Sequence, residues 1–331
     1  MILAILGAVL WLAMADRDKG PASASAQRHA GDFPVTVRSC GHASTFAKAP
    51  TRAIVGSANM VQTILDLGLI DHFAGVSALR WTFPHLDAAP EVLKKVRDKE
   101  FTRDKPGMEG VIGQRPDFYF SGWQYGFSEV TGVTPANLER YGIGSYTLDE
   151  SCIRIGARPA ISMESTYRDI RALGQVFGVR ARAEEIIGRQ QAILAAIQSR
   201  IGTDTPRPRM MFCSGCISDS APRTSGGEGF PQVVIDGAGG TNIFQDIHDS
   251  YVNVSWEAVI ERNPQWIIID PSGRAEQDVV AYLTGAPALR GVEAIRKRQF
   301  IFLTYPEFEP STRNAEAIER IAGIIHPVRA P

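Results

Sequence analysis

Four cysteines and six histidines are the residues of this chain best suited to chemistry, and their spacing argues for structure rather than catalysis. His29, His42, His72, His85, His248 and His326 form no H-x-H or H-x-x-x-H pair. Capture of a bare metal ion needs ligands that cluster or converge, so no metal site is expected. Cys213 and Cys216 stand as C-x-x-C, which suits a local disulfide, a redox pair or half of a zinc site. Zinc would need two further ligands, for which only His248 or another scattered histidine could serve. The spacing fits a local disulfide best, with free thiols and a metal as alternatives. Cys40 and Cys152 could close a loop of about 112 residues, stabilising the fold by roughly 4–5 kcal/mol in the chain-entropy model. Two separate buried thiols are the plainer reading. GAGGTN (237–242) follows VVID, but its glycine spacing departs from G-x-G-x-x-G and no ribose-binding acid is evident. With no nucleophile elbow or P-loop either, no catalytic residue and no resident cofactor are assigned.

A second set of residues stands directly behind apolar runs. Arg80-Trp81 follows FAGVSAL (73–79), and Trp123-Gln124-Tyr125 follows DFYFSG (117–122). Tyr305 ends QFIFLTY (299–305), Arg223 precedes TSGGEG (224–229), and Arg313 opens the last helical run. Ligands of two-lobed α/β proteins sit at the carboxyl ends of strands. Arg80, Trp81, Trp123, Tyr125, Arg223, Tyr305 and Arg313 are therefore the candidate ligand contacts. Rings and guanidinium forks suit a large, partly planar, anionic ligand. The bland alternatives are core packing for Trp81 and Trp123, a solvated charge for Arg80, and structural ion pairs for Arg223 and Arg313.

These segments need strands to carry them. RAIVGS (52–57), FAGVSAL, RPDFYFSGW (115–123) and YGIGSYTL (141–148) read as strands separated by helical runs such as NMVQTILDLGL. That alternation predicts βαβ units and a parallel sheet. From 164 to 201 Ile170, Leu173, Val176 and Phe177, then Ala183, Ile186, Ile187, Leu194 and Ile197, keep helical spacing. Phe177-Gly178-Val179 marks a bend or a break between two helices, and the prolines of TDTPRPR end the pattern. MMFC (210–213), QWIIID (265–270) and QFIFLTY are strands of a second lobe, with WEAVIERN and 312–325 as helices and glycine-rich loops between. The fold class is α/β: two Rossmann-like lobes with mostly parallel sheets, bridged by a long helix. The expected division is 27–50 as an N-terminal extension, 51–160 as the first lobe, 161–205 as the bridge and 206–331 as the second lobe.

At 331 residues with 44% apolar and 21% charged side chains, the composition is that of a globular protein of two lobes. A net charge of −1 gives no electrostatic reason to bind nucleic acid or an anionic membrane. MILAILGAVLWLAMA (1–15), followed by A-x-A sites at Ala22-Ser23-Ala24 and Ala24-Ser25-Ala26, reads as an export signal over 1–26. An uncleaved anchor is the alternative, and no cysteine stands there for a lipid. A periplasmic monomer is expected.

The lobes also echo each other. Residues 108–117 read MEGVIGQRPD and 256–265 read WEAVIERNPQ. Each has Glu in the first turn of a short helix, where the dipole favours it, then Val-Ile, then Pro opening a buried strand. Two similar lobes would thus each present one carboxylate, Glu109 and Glu257, a two-point clamp for a two-fold basic partner.

With APTRAIV (49–55), LDLGLIDHFAGVS (65–77), both echoes, GAGGTNIF (237–244), Arg313 and IAGIIHP (321–327), the chain resembles the ABC-importer substrate-binding proteins for iron–siderophores, haem and cobalamin. The resemblance spans about residues 35 to 328 and implies two lobes on one long helix. It implies capture of a metal chelate or cofactor-like ligand (ferric siderophore, haem or corrinoid) between them, and delivery to an ABC permease dimer whose arginines meet Glu109 and Glu257. VTVRSCG (35–41), SGWQYGFSE (121–129) and LDESC (148–152) are similar to a corrinoid, deazaflavin-precursor or ferric-chelate subgroup, which implies a Cys40–Cys152 bridge; cysteines at 213 and 216 depart from it. The rival reading is a two-lobed metal chelatase using His85 or His248 with a carboxylate across the cleft.

Overall fold

The computed structural model describes residues 33–156, 158–202, 204–217 and 221–327. The expected export signal lies outside them. The first lobe opens with an antiparallel hairpin, β1 (Val35–Ser39) and β2 (His42–Phe46). Its turn is Cys40-Gly41, both at positive φ (46° and 77°), the conformation a two-residue hairpin loop requires. Val35, Val37 and Phe46 bury into the lobe core. Ser44 and Ser39 hydroxyls accept the backbone N–H groups of Ser145 and Thr147 at 3.3 and 2.9 Å. The hairpin is thereby stitched to the sheet's edge.

Five strands follow in βα alternation: β3 (Ala53–Gly56), α1 (Ala58–Asp66), β4 (Phe73–Ser77), α2 (Pro90–Asp98), β5 (Glu100–Thr102), α3 (Met108–Gly113), β6 (Phe118–Ser121), α4 (Pro135–Arg140) and β7 (Gly144–Thr147). They pair in parallel in the order β5-β4-β3-β6-β7. The central strands are apolar on both faces, as a covered parallel sheet demands. Val55, Phe118 and Phe120 face one core while Ile54 and Tyr119 face another.

The helical middle is two helices, α5 (Met163–Val176) and α6 (Arg180–Ile201), broken at Gly178 with φ 68°. Only α6 passes between lobes. Ile170, Leu173 and Val176 of α5 lie in the first lobe's core, as do Ala183, Ile186 and Ile187 of α6. Ile197 of α6 lies in the second lobe's core. At 22 residues, α6 spans about 33 Å.

The second lobe comprises β8 (Arg209–Ser214), β9 (Arg223–Ser225), α7 (Phe230–Gly237), β10 (Thr241–Asn242), β11 (Tyr251–Asn253), α8 (Trp256–Arg262), β12 (Trp266–Asp270), α9 (Glu276–Gly285), α10 (Glu293–Arg296), β13 (Phe300–Phe302), α11 (Tyr305–Phe308) and α12 (Asn314–Ile325). The sheet order is β11-β9-β8-β12-β13, with β10 also on β8. β8, β12 and β13 are parallel, whereas β9 and β11 are antiparallel, so the second sheet is mixed at one edge. The stretch read as glycine-rich loops also contains α7, whose Phe230, Val234 and Ile235 are buried against α12. Among the described residues no helix is long and apolar enough to cross a membrane.

Candidate ligand-binding site

The carboxyl ends of both sheets face each other across a closed cleft. From the first lobe, the segment after β4 brings Trp81 and His85, the turn after β6 brings Tyr125, and the 3-10 turn after β7 brings Glu150. The turn at 122–127 folds tightly because it carries glycines: a Cβ on Gly122 would lie 2.3 Å from the Tyr125 ring. From the second lobe come Tyr251 on β11, Asp270 at the end of β12 with Gly273 just beyond it, and Tyr305 and Glu309 after β13.

The two sets touch. The Tyr305 backbone N–H donates to His85 Nδ1 at 3.1 Å. Trp81 meets Tyr305 edge-on with centroids 5.6 Å apart, and His85 at 5.9 Å. A Cβ on Gly273 would fall 2.9 Å from Trp81 Cβ, so glycine there lets the lobes close. At the rim, Arg154 pairs with Asp249 at 3.4 Å and also donates to Ser250 Oγ. Arg158 donates to the carbonyl of Glu228.

The floor is acidic and phenolic. Tyr125 OH donates to Glu150 Oε2 at 3.1 Å, and Tyr251 OH donates to Glu309 Oε1 at 2.7 Å. Glu150 and Glu309 are only 1% and 3% exposed. Burial pushes the Glu150 carboxyl above the ordinary carboxylate range, with Arg158, the Tyr125 hydroxyl and Arg154 opposing it. Burial raises Glu309 well above that range, and the facing Glu150 adds to it against Tyr251 and Arg223. Tyr125, Tyr251 and Tyr305 are held well above the usual phenol value by burial and then by these carboxylates. Burial lowers His85, offset in part by Asp270 and Glu307, which favours a neutral ring accepting from Tyr305. Asp270, 2% exposed, accepts from Ser214 Oγ at 2.8 Å and Ser272 Oγ at 2.9 Å.

Of the residues singled out by position after a strand, Trp81, Tyr125 and Tyr305 meet at this cleft. Arg223 joins them with its guanidinium 4.8 Å over the Tyr251 ring. Trp123 instead turns into the core, 8% exposed and packed on Phe127. Arg80 sits in solvent, 3.6 Å from Asp104, with its side chain 73% exposed. Arg313 pairs with Asp66 at 2.9 Å and Asp87 at 3.0 Å, clamping α12 to the first lobe. Glu150, Tyr251 and Glu309 escaped the sequence reading. For Glu150 the same rule would have served, since it lies just beyond YGIGSYTL.

Both disulfides form. Cys40–Cys152 has a Cα–Cα distance of 5.1 Å and ties the hairpin turn to the turn that carries Glu150. Cys213–Cys216 closes the end of β8, which replaces the free-thiol and metal alternatives. Among the described residues, no group of three or more His, Cys, Asp or Glu is placed to hold a metal.

The sequence echo is a structural one. β6 lies between β3 and β7 as β12 lies between β8 and β13, so α3 and α8 occupy equivalent places. Each helix is followed by a left-handed residue, Arg115 (φ 50°) and Asn263 (φ 44°). Each of their carbonyls accepts from an arginine at the start of the neighbouring strand, Arg52 Nε just before β3 at 2.7 Å and Arg209 Nε, the first residue of β8, at 3.1 Å. The next side chains, Asp117 and Gln265, accept the backbone N–H of those same arginines at 2.8 and 3.0 Å. Glu109 and Glu257 are exposed in the first turns. Its own backbone N–H and the Ser255 hydroxyl hold the Glu257 carboxyl below the usual carboxylate value.

Two α/β lobes on one spanning helix, closing over a shared cleft, define a ligand-capture protein. The model of the periplasmic binding protein family matches residues 54–306, and the chain belongs to that family. A periplasmic binding protein of Veillonella parvula superposes with a TM-score of 0.72 at 26% identity, over 89% of this chain and 98% of that one. The ABC-type Fe3+-hydroxamate transport system of Saccharomonospora viridis gives 0.74 at 22% identity, over 89% and 99%. The periplasmic haem-binding protein RhuT of Roseiflexus gives 0.66 at 21%, over 82% and 96%. No curated protein matches the chain. The protein is thus an extracytoplasmic transport binding protein and not an enzyme, and the chelatase alternative has no support.

Proposed function

We propose that the protein captures a metal chelate or cofactor-like molecule, such as a ferric siderophore, haem or corrinoid, between its lobes and hands it to an ABC permease dimer. The observation that carries this reading is the meeting of Trp81 with Tyr305 across the cleft, beside Tyr125 and Tyr251, which donate to the buried Glu150 and Glu309. Rings supply contact area to a bulky planar or chelated ligand at low entropy cost. The likeness to Fe3+-hydroxamate and haem transport structures supports the same ligand class. The protein acts as a periplasmic monomer, exported by its N-terminal segment.

Glu109 and Glu257 are the docking residues. Their support is the matched frame of α3 and α8, which presents one carboxylate per lobe to a two-fold partner. Titration of the protein with ferric hydroxamates, haem and cobalamin, followed by tryptophan fluorescence and native mass spectrometry, tests the ligand. Saturable 1:1 binding of one class is expected, and binding of none would refute the reading. Glu109→Lys or Glu257→Lys should abolish uptake in cells while leaving affinity within about twofold, because rim charges govern encounter more than cleft contacts.

A further inference from the structure

We propose that the floor of the cleft is an ammonium site: Glu150 and Glu309, set among Tyr125, Tyr251 and Tyr305 with Trp81 against Tyr305, take a cationic amine carried by the ligand. This rests on the reading of the cleft as the ligand site and names the group that its floor selects.

Three observations point there. First, Glu309 has one acceptor left over. Its Oε1 takes the Tyr251 hydroxyl, while Oε2 is buried without any hydrogen-bond partner. A buried polar oxygen without a partner in the protein is costly, so a donor carried by the ligand gains a hydrogen bond there. Second, the rings come from both lobes. Trp81 and Tyr125 belong to the first, Tyr251 and Tyr305 to the second, and Trp81 and Tyr305 are already in edge contact at 5.6 Å. Aromatic rings beside a carboxylate are the chemistry that binds alkylammonium groups, through cation–π attraction and a charge-assisted hydrogen bond. Third, a cation already uses one of these rings: the Arg223 guanidinium lies 4.8 Å over Tyr251.

Arg154 and Arg158 act on Glu150 through space but make their hydrogen bonds elsewhere. Arg154 is engaged by Asp249 and Ser250, and Arg158 by the carbonyl of Glu228. Nε of Arg158, beside Glu150, is buried without an acceptor, and suits an oxygen of the same ligand. An anionic group on the floor would face two carboxyls instead. The ligand therefore presents its amine inward and its oxygen-rich part to the rim arginines.

The test uses matched pairs that differ only in the ammonium. Ferrioxamine B, a ferric trihydroxamate with a pendant primary ammonium, is compared with its N-acetyl derivative. n-Pentylammonium is compared with n-pentanol as a chelate-free pair at millimolar concentration. Binding to the whole protein is read by calorimetry and tryptophan fluorescence. Each ammonium should outbind its neutral twin by at least about tenfold, and Glu309→Gln or Glu150→Gln should bring the twins together. Equal binding within the pairs, or failure of both ammonium probes to bind, would overturn the inference. The comparison in the unmutated protein keeps it decidable even if a variant folds poorly. If pentylammonium keeps its advantage while neither ferric chelates, haem nor cobalamin bind, the ammonium site stands and the chelate reading falls.

Discussion

Glu309 shows how a single side chain can trade stability for binding. Its carboxyl is raised by burial and by Glu150, so the folded state holds its proton more tightly than the unfolded chain does. The sign follows from linkage: stability is fully present below the unfolded carboxyl range near about 4.3 and is lost as pH rises through the higher native value. Glu309→Gln keeps an acceptor for Tyr251 and removes the titration. The ligand-free variant should melt like the parent at pH 4 and a few degrees higher at pH 7.5, since about 1 kcal/mol moves Tm by roughly 2–4 °C in larger domains. Calorimetry at the two pH values checks this, and a lower Tm at pH 7.5 would show the carboxylate to be stabilising. Such a residue is hard to find in a sequence, where Glu reads as surface by default. Position after a strand singled out Trp81, Tyr125 and Tyr305, which the structure places at the cleft. Trp123, two residues from Tyr125, packs in the core instead, because the glycine turn at 122–127 sends one ring inward and the other to the cleft.

Between elements, the legible features were those written in periodicity. The parallel strands β3, β4, β6, β7, β8, β12 and β13 stand where buried apolar runs place them, and Gly178 divides α5 from α6 where the helical pattern hesitates. The antiparallel edge β9–β11 was hidden because each strand is three residues long and flanked by glycine or polar loops. That edge carries Tyr251, so missing it concealed one wall of the cleft. The hairpin β1–β2 was likewise read as an extension, yet it is fastened twice, by Ser39 and Ser44 hydroxyls and by Cys40–Cys152. The disulfide fixes the turn holding Glu150 two residues away. Cys40→Ser with Cys152→Ser removes a 112-residue closure and should lower stability by up to about 4–5 kcal/mol. Denaturant titration of the oxidised parent against the double variant measures the loss. A change below about 0.5 kcal/mol would mean that the hairpin is held by its hydroxyl contacts alone.

At the scale of the molecule, the two sides of the lobe interface serve different ends. On one side α12 and α11 are fixed to α1: Arg313 pairs with Asp66, and Asn59 Nδ2 donates to the Pro310 carbonyl at 3.0 Å. On the other, the cleft is shut by Arg154 on Asp249 and Ser250 and by Arg158 on the Glu228 carbonyl. With α6 joining the lobes and α11 and α12 clamped to α1, any opening is expected on the arginine side. A ligand can enter only from the open fraction, so every contact that shuts the empty cleft lowers the apparent affinity by that fraction. Arg154 and Arg158 are partly exposed, and their pairing with the opposite lobe is worth little individually, enough to bias a pivot without welding it. Arg154→Ala with Arg158→Ala should therefore raise the radius of gyration of the empty protein in small-angle X-ray scattering and quicken ligand association. Tm should move by no more than a few degrees. A scattering curve identical to the parent's would shift the closing role from the arginines to the Trp81–Tyr305 contact, which glycine at 273 lets approach.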